Sequence, residues 1–309
     1  MSERKKLLIL VGPTAVGKSS LAVEIAKRFD LEVISGDSMQ VYQGMDIGTG
    51  KITEEEMDGV QHYMIDVMPP DTTFSVHQFQ HHVEDLIDEF HEDARTPFIV
   101  GGTGHYIRAL IYGYEFDEED DEEKRRLTSH FEKLATPVLH NQLQSIDPKS
   151  AEEIHPNNRK RVIRALVKHE LSNRISNRTG PGYTDEMKYD TFIVGLTRNR
   201  KVLHERIRKR VEKMFEMGLE AEVQKLLDNG PLSKTASAAI GYKEFLPYFE
   251  GHGSLDEVKE AIIQHSRQYA KRQLTFFRNQ LPVTWYDLDV VDTDIILEDI
   301  YQFLQAKER

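Results

Sequence analysis

The sequence predicts an α/β fold: a parallel sheet with flanking helices and an inserted, mainly helical subdomain. Three observations lead there. From residue 6 to residue 111 short β-branched runs alternate with helical patterns, the arrangement of strand–helix–strand units in a parallel sheet. Gly12-Pro13-Thr14-Ala15-Val16-Gly17-Lys18-Ser19 fits the pattern G-x-x-x-x-G-K-[ST] directly behind the apolar run Leu7-Leu8-Ile9-Leu10-Val11, so the sheet is expected to be P-loop NTPase-like. Between apolar runs at 97–101 and 191–196 the pattern turns helical, polar and rich in charge, as an insertion between two strands would.

In chain order, a first strand is expected over 6–11 and a helix over 18–28. The strand Glu32-Val33-Ile34-Ser35 follows, then a strand at 62–67, a helix at 75–93, the strand Pro97-Phe98-Ile99-Val100-Gly101 and a helix at 104–111. Residues 115–190 read as the inserted subdomain. There Ala151, Ile154, Val162, Ala165 and Leu166 keep a helical period interrupted by His155-Pro156-Asn157-Asn158, and 178–189 has loop chemistry. The core, 1–114 with 191–309, resumes at the strand Thr191-Phe192-Ile193-Val194-Gly195-Leu196. Long amphipathic helices over 201–229 and 254–279 and a last strand over 283–287 complete it.

Composition narrows the function. With 309 residues, 39% apolar and 30% charged, the chain is a globular protein. No apolar stretch reaches the roughly 18–20 residues of a membrane span, and the start of the chain has no signal-peptide pattern. Zero cysteines exclude disulfides, a thiolate nucleophile and cysteine-ligated metal. A cytoplasmic enzyme is expected. The net charge of −12 hides a segregation: 115–123 carries eight acids, while 155–178 carries seven Lys/Arg against one Glu and 198–213 carries eight against two. Two basic stretches in so acidic a chain suit either solvated helix faces or a polyanion.

The glycine loop needs its residue types for a physical reason. Gly12 and Gly17 let the backbone approach a ligand so that N–H groups meet phosphate oxygens, Lys18 adds a charge, Ser19 offers a hydroxyl to Mg²⁺, and the helix start turns its positive end to the anion. Such a loop serves hydrolases, kinases and group transferases alike. Hydrolases of this class carry a second carboxylate on a strand tip, yet the strand at 97–101 runs into Gly101-Gly102-Thr103-Gly104. The first acid after a strand is instead Asp37. It could ligate metal through water, hold a ribose, act as a general base, or merely cap a helix. Thr103 offers a hydroxyl to a nucleotide or caps the following helix. His77, His81 and His82 share a helical pattern without an evident third metal ligand, and Met214, Phe215 and Met217 read as core.

Six blocks in order carry a family resemblance. The glycine loop, Ser35-Gly36-Asp37-Ser38-Met39-Gln40-Val41-Tyr42, Met45-Asp46-Ile47-Gly48-Thr49-Gly50-Lys51, Gly101-Gly102-Thr103-Gly104-His105-Tyr106-Ile107, Ala239-Ile240-Gly241-Tyr242-Lys243-Glu244 and Ala270-Lys271-Arg272-Gln273-Leu274-Thr275 resemble the bacterial tRNA dimethylallyltransferases. The match spans about 10–280. It departs at His105, where leucine is usual, and Phe276, where tryptophan is common. The resemblance implies transfer of a dimethylallyl group from dimethylallyl diphosphate to the N6 amine of the adenosine 3′ of a tRNA anticodon. Rival readings are a prenyltransferase or kinase acting on a free nucleotide, and a nucleotide-dependent RNA-binding switch.

On that footing residues 12–19 bind the diphosphate, with Mg²⁺ on Ser19, Lys18 stabilising the leaving group and Thr14 donating to the bridging oxygen. Asp37 is the candidate base, and Ser38, Met39, Gln40 and Thr103 shape the pocket for the adenine. Arg206 and Arg210, four apart on one helix face, are candidates for closing on the diphosphate, with Arg210 the favourite. Lys160, Arg161 and Arg164 in the insertion suit an RNA backbone, and Arg272 belongs to a second basic stripe with Arg267, Lys271 and Arg278. The expected partners are tRNA and dimethylallyl diphosphate, with no membrane and a monomeric chain.

Overall fold

β1 (Lys6–Val11) is buried along its whole length, and the alternation of its side chains feeds two separate cores. Leu7, Ile9 and Val11 enter one, Leu8 and Leu10 the other, as the two-residue period of a strand requires. This is a computed structural model; it describes residues 4–114, 121–174 and 186–306, and of 121–123 and 172–174 the backbone only. The chain divides into two compact units, Met1–Gly113 with Asp185–Arg309, and Tyr114–Thr184.

In the first unit, α1 (Lys18–Phe29), β2 (Val33–Ser35), the single turn α2 (Glu54–Met57), β3 (His62–Tyr63), α3 (Val76–Glu92), β4 (Phe98–Gly101) and α4 (Gly104–Ile111) follow β1. The second unit holds α5 (Asp121–Glu132), α6 (Thr136–Ile146), α7 (Pro148–Glu153) and α8 (Arg159–Arg174). The chain then returns through β5 (Asp190–Thr197), α9 (Arg200–Glu216), α10 (Leu219–Asp228), α11 (Phe245–Phe249), α12 (Leu255–Gln280), β6 (Thr284–Asp287) and α13 (Thr293–Gln305).

The sheet runs β3-β2-β4-β1-β5-β6, every pair parallel. β4 lies between β1 and β2, so chain crossovers leave β1 and β4 in opposite directions and open a crevice at their carboxyl ends. Register sharpens this. Val11 stands opposite both Gly101 and Gly195, and Ser35 opposite Val100. The loops leaving β1, β2 and β4 therefore start side by side.

Three expectations need correction. The strand expected at 62–67 is only His62–Tyr63. The long helix expected over 201–229 is two, because Gly218 takes φ 97° between them, a left-handed conformation that starts a new helix in a new direction. Residues 186–190, expected in the insertion, pack in the first unit, where the Lys188 N–H donates to the Ile111 carbonyl at 2.7 Å. The 178–185 part of the expected return loop lies outside the described residues.

The second unit has its own core of Leu127, Phe131, Leu139, Leu143, Val162 and Leu166. Burial of Val162, Ile163, Leu166 and Val167 turns Lys160, Arg161 and Arg164 of α8 outward, and all three are exposed. No described helix is long and apolar enough to cross a membrane.

Lys6 shows how the last helix is tied down. It is 6% exposed, and its ammonium donates to the carbonyls of Phe303 (3.0 Å), Leu304 (2.9 Å) and Ala306. These belong to the unpaired carbonyl end of α13, where a cation is favoured. Lys6→Met is expected to cost about 1–3 kcal/mol, the range for leaving buried polar groups unpaired. Amide exchange should speed first over 300–306; unchanged melting and exchange would refute this account.

Candidate active site

The turn at 12–17 feeds straight into α1, whose N-cap, Gly17, is left-handed and has no capping side chain. No acid sits in the first turn. The first-turn N–H groups and the helix dipole are thus left for an anion. Lys18 spends two of its three donors on the carbonyls of Gly12 and Pro13, both at 2.9 Å, which leaves one for a ligand.

Side chains from distant elements brace this turn. Arg206 Nε donates to the Ala15 carbonyl (2.8 Å), and Arg198 Nε to that of Val16 (2.9 Å). Gln273 of α12 accepts from the Thr14 N–H through Oε1 and donates from Nε2 to the Gly102 carbonyl, each at 2.9 Å. The Thr14 N–H is therefore engaged by protein, whereas Thr14 itself lines the cleft beside it.

The loop after β2 supplies Asp37. Gly36 passes so close to Gly101 that a Cβ on Gly101 would lie 2.4 Å from the Gly36 carbonyl oxygen, which is why a side chain is excluded there. Asp37 caps no helix. Its Oδ1 accepts from the Met39 N–H at 2.8 Å, and its other oxygen takes no hydrogen bond among the described residues. Thr103 does not cap α4 with its side chain either. Its hydroxyl accepts from the Ser38 N–H (3.0 Å) and lies 3.3 Å from Ser38 Oγ, tying the Asp37 loop to the glycine turn after β4. Ser35 Oγ donates to Gln40 Oε1 (3.2 Å).

These loops open on one cleft of about 300 Å³. Thr14, Lys18, Ser19, Asp37, Ser38, Met39, Gln40, Arg210 and Arg272 all line it. Arg206 does not, being exposed and held on Ala15, so of the two candidate arginines Arg210 is the one the cleft contains. Arg210 Nη2 donates to the Thr49 carbonyl at 3.1 Å, and burial pulls its pKa down against the pull of Asp37 and Glu56. Arg272 packs over the Tyr269 ring at 5.8 Å.

Several lining residues had no role assigned from sequence. Tyr269 and Gln273 stand between the phosphate turn and the Asp37 loop; burial, then the Asp37 charge, raise the Tyr269 pKa. The 45–50 loop is locked by Glu222, which accepts from the N–H groups of Asp46 (3.0 Å), Ile47 (2.7 Å) and Gly48 (3.0 Å) and from the Tyr242 hydroxyl (2.6 Å). The apolar lining of the cleft comes from Ile207, Val211, Met214, Ala239, Ile240 and Ile262, with Lys243 close by in the 239–243 segment. Met214, read as core, does both; Phe215 packs on the core, and Met217 is 52% exposed. The signal for this lining was the block at 239–244 and the i, i+4, i+7 spacing of Ile207, Val211 and Met214.

Outside the cleft, His81 pairs with Asp85 (3.1 Å) and His82 stacks on Phe74. Among the described residues no cluster of three His, Cys, Asp or Glu could hold a metal. Arg278 covers Trp285 at 5.5 Å.

Lys18 sets a pH dependence. Its residue is only partly exposed and its ammonium lies deep; burial lowers its pKa to about 8, partly offset by Asp37 and reinforced by Arg210. The free enzyme should thus lose one charge at the phosphate turn above about pH 8, and kcat/KM for an anionic substrate should fall there. kcat should hold to higher pH, because bound diphosphate keeps the proton on. Lys18→Arg, charged throughout, should lack this limb, and an unchanged profile would refute the assignment. For stability the sign is opposite. The folded pKa lies below the unfolded 10.5, so the unfolded chain holds more protons between about 8 and 10.5 and stability rises across that window.

A phosphate turn, a carboxylate and an apolar lining on one cleft of a parallel α/β core define a group-transferring enzyme. The family model for IPP transferase matches residues 40–280. The chain is 46% identical over 294 residues to a tRNA dimethylallyltransferase of Macrococcus caseolyticus, covering 95% of this chain and 94% of the relative. It is 48% identical over 288 residues to that of Bacillus pumilus, covering 92% and 90%. Among solved structures, the tRNA isopentenylpyrophosphate transferase of Bacillus halodurans matches with TM-score 0.71 and 46% identity over 97% of this chain and 96% of that one. A eukaryotic dimethylallyltransferase acting on tRNA matches with TM-score 0.78 and 25% identity over 98% and 82%. The chain belongs to the IPP transferase family.

Proposed function

We propose that this enzyme transfers a dimethylallyl group from dimethylallyl diphosphate to the N6 amine of the adenosine 3′ of a tRNA anticodon. The observation that carries the reading is the composition of the cleft: an anion site at a helix start with Lys18 and Arg210, an unengaged carboxylate oxygen and apolar side chains line one space. The allylic C–O bond breaks with its electron pair going to the diphosphate, the adenine nitrogen forms the new C–N bond, and its proton passes to Asp37. Lys18, Arg210 and the first-turn N–H groups meet the charge that grows on the leaving oxygen. Thr14 donates to the bridging oxygen, and the backbone of 12–19 cradles the rest. Arg206 and Arg198 keep that cradle in shape through their Nε atoms.

Mg²⁺ fits the donor chemistry. Ser19 offers an exposed hydroxyl on the cleft, and Mg²⁺ in phosphate sites takes one or two protein oxygens and fills its shell with water and phosphate. When bound it adds positive charge against the diphosphate.

The acceptor base must leave its stack to reach Asp37. Ser38, Met39 and Gln40 form its side of the cleft, with the Thr103 hydroxyl holding Ser38 from behind and Arg272 over Tyr269 offering a charged edge. Lys160, Arg161 and Arg164 give the second unit a basic face for the RNA backbone. We place the enzyme in the cytoplasm as a monomer, which suits a chain without cysteine. Undermodified tRNA treated with enzyme and dimethylallyl diphosphate should yield N6-dimethylallyladenosine on digestion. If that nucleoside fails to form, the reading is wrong.

A further inference from the structure

We propose that Met214, with Ile240 and Ile262, is the end wall that limits the transferred chain to five carbons. The inference rests on the function proposed above. α9 and α12 pack antiparallel: Arg208 pairs with Glu260 at 3.0 Å, and the Lys259 ammonium lies 5.9 Å from the Phe215 ring centre. Ile207, Arg210, Val211 and Met214 form one face of α9, and Ile262, Ser266, Tyr269 and Gln273 one face of α12. Both faces line the cleft.

Gln273, on the Thr14 N–H, fixes the phosphate end. From there Ile262 lies eleven residues back along α12, roughly 16 Å of helix, and Met214 lies one turn, about 6 Å, beyond Arg210 on α9. Along α9 and α12 the lining passes from Arg210, Tyr269 and Ser266 to Val211, Met214 and Ile262, and Lys243 is the charged lining residue nearest Ile240 in the chain.

Met214 and Ile262 are backed by packing. Met214 is 8% exposed and belongs to one continuous core with Leu219, Val223 and Phe245 behind it. A space of about 300 Å³ is at the small end for ligand sites, and here it must take a diphosphate, the chain and the edge of a base. A second isoprene unit has nowhere to go. Methionine, unbranched and adaptable, fills the wall closely while being the side chain whose truncation lengthens the space most directly.

The test measures kcat/KM for dimethylallyl and geranyl diphosphate with undermodified tRNA as acceptor. Met214→Ala should raise the geranyl-to-dimethylallyl ratio about 10-fold or more, the scale on which apolar pockets discriminate added carbons. Met214→Leu, of similar volume, should keep the wild-type ratio. Should Met214→Ala melt early, Ile240→Ala, at a half-buried position, should move the ratio in the same direction. A ratio unmoved in folded variants, while wild-type enzyme prenylates tRNA with dimethylallyl diphosphate, overturns the wall alone. Failure of the wild type to prenylate tRNA overturns the proposed function and the wall with it.

Discussion

Asp37→Ala is expected to lower prenyl transfer about 10²–10⁴-fold, the range that general-base help contributes, with tRNA affinity within several-fold of wild type. The acceptor sets this size. An exocyclic adenine amine is conjugated with its ring and is a poor nucleophile until its proton is taken. Asp37 is the carboxylate on the cleft, and one of its oxygens is already fixed by the Met39 N–H. The other is left for the amine. Removing the carboxylate also leaves Lys18 and Arg210 without the charge that opposes their burial. Asp37→Asn removes both the base and the charge while its amide oxygen keeps the bond to Met39, so it isolates them from a change in the loop. Single-turnover rates should fall as far in Asp37→Asn as in Asp37→Ala. Near-normal turnover in either variant would remove Asp37 from the base role.

The second large effect distinguishes the arginines. Arg210→Ala should cost about 10²–10³-fold in kcat, the loss typical of deleting one group that stabilises transition-state charge. Arg206→Ala should act mainly on KM, because its contact is with the loop that holds the substrate. Arg210 lies on the cleft, where the Asp37 charge opposes its burial and its own charge lowers the Lys18 pKa, whereas Arg206 is exposed and holds the Ala15 carbonyl through Nε. Steady-state kinetics of the two variants checks the split. Equal kcat losses would show that both reach the leaving group.

Much of this architecture is legible in the chain because it follows local rules. An apolar run before a glycine loop makes β1 and the phosphate turn, and Val33-Ile34-Ser35 followed by Gly36-Asp37 places a carboxylate at the end of β2, the next strand in the chain. What escapes sequence reading is set at long range. Gln273 is far along the chain from the Thr14 N–H it accepts, and nothing in its own helix marks it as a brace of the phosphate turn. Glu222 likewise looks like a surface acid on α10, yet three backbone N–H groups and Tyr242 converge on it. The apolar lining needs α9 and α12 brought face to face before Met214 reads as more than core. Thr103 allows two readings in sequence, a hydroxyl for the nucleotide or a helix cap, and the structure turns the hydroxyl to Ser38, one residue behind the cleft lining.

On the proposed function, a loop built for nucleotide phosphates holds a departing diphosphate while the nucleotide serves as acceptor. The most direct measurement supplies labelled dimethylallyl diphosphate with undermodified tRNA or with AMP, and labelled ATP with either. The account predicts label from the dimethylallyl group in tRNA alone, one diphosphate released for each group transferred, and no phosphate transfer from ATP. Prenylation of AMP as efficient as that of tRNA, or phosphate transfer from ATP to either acceptor, would contradict it.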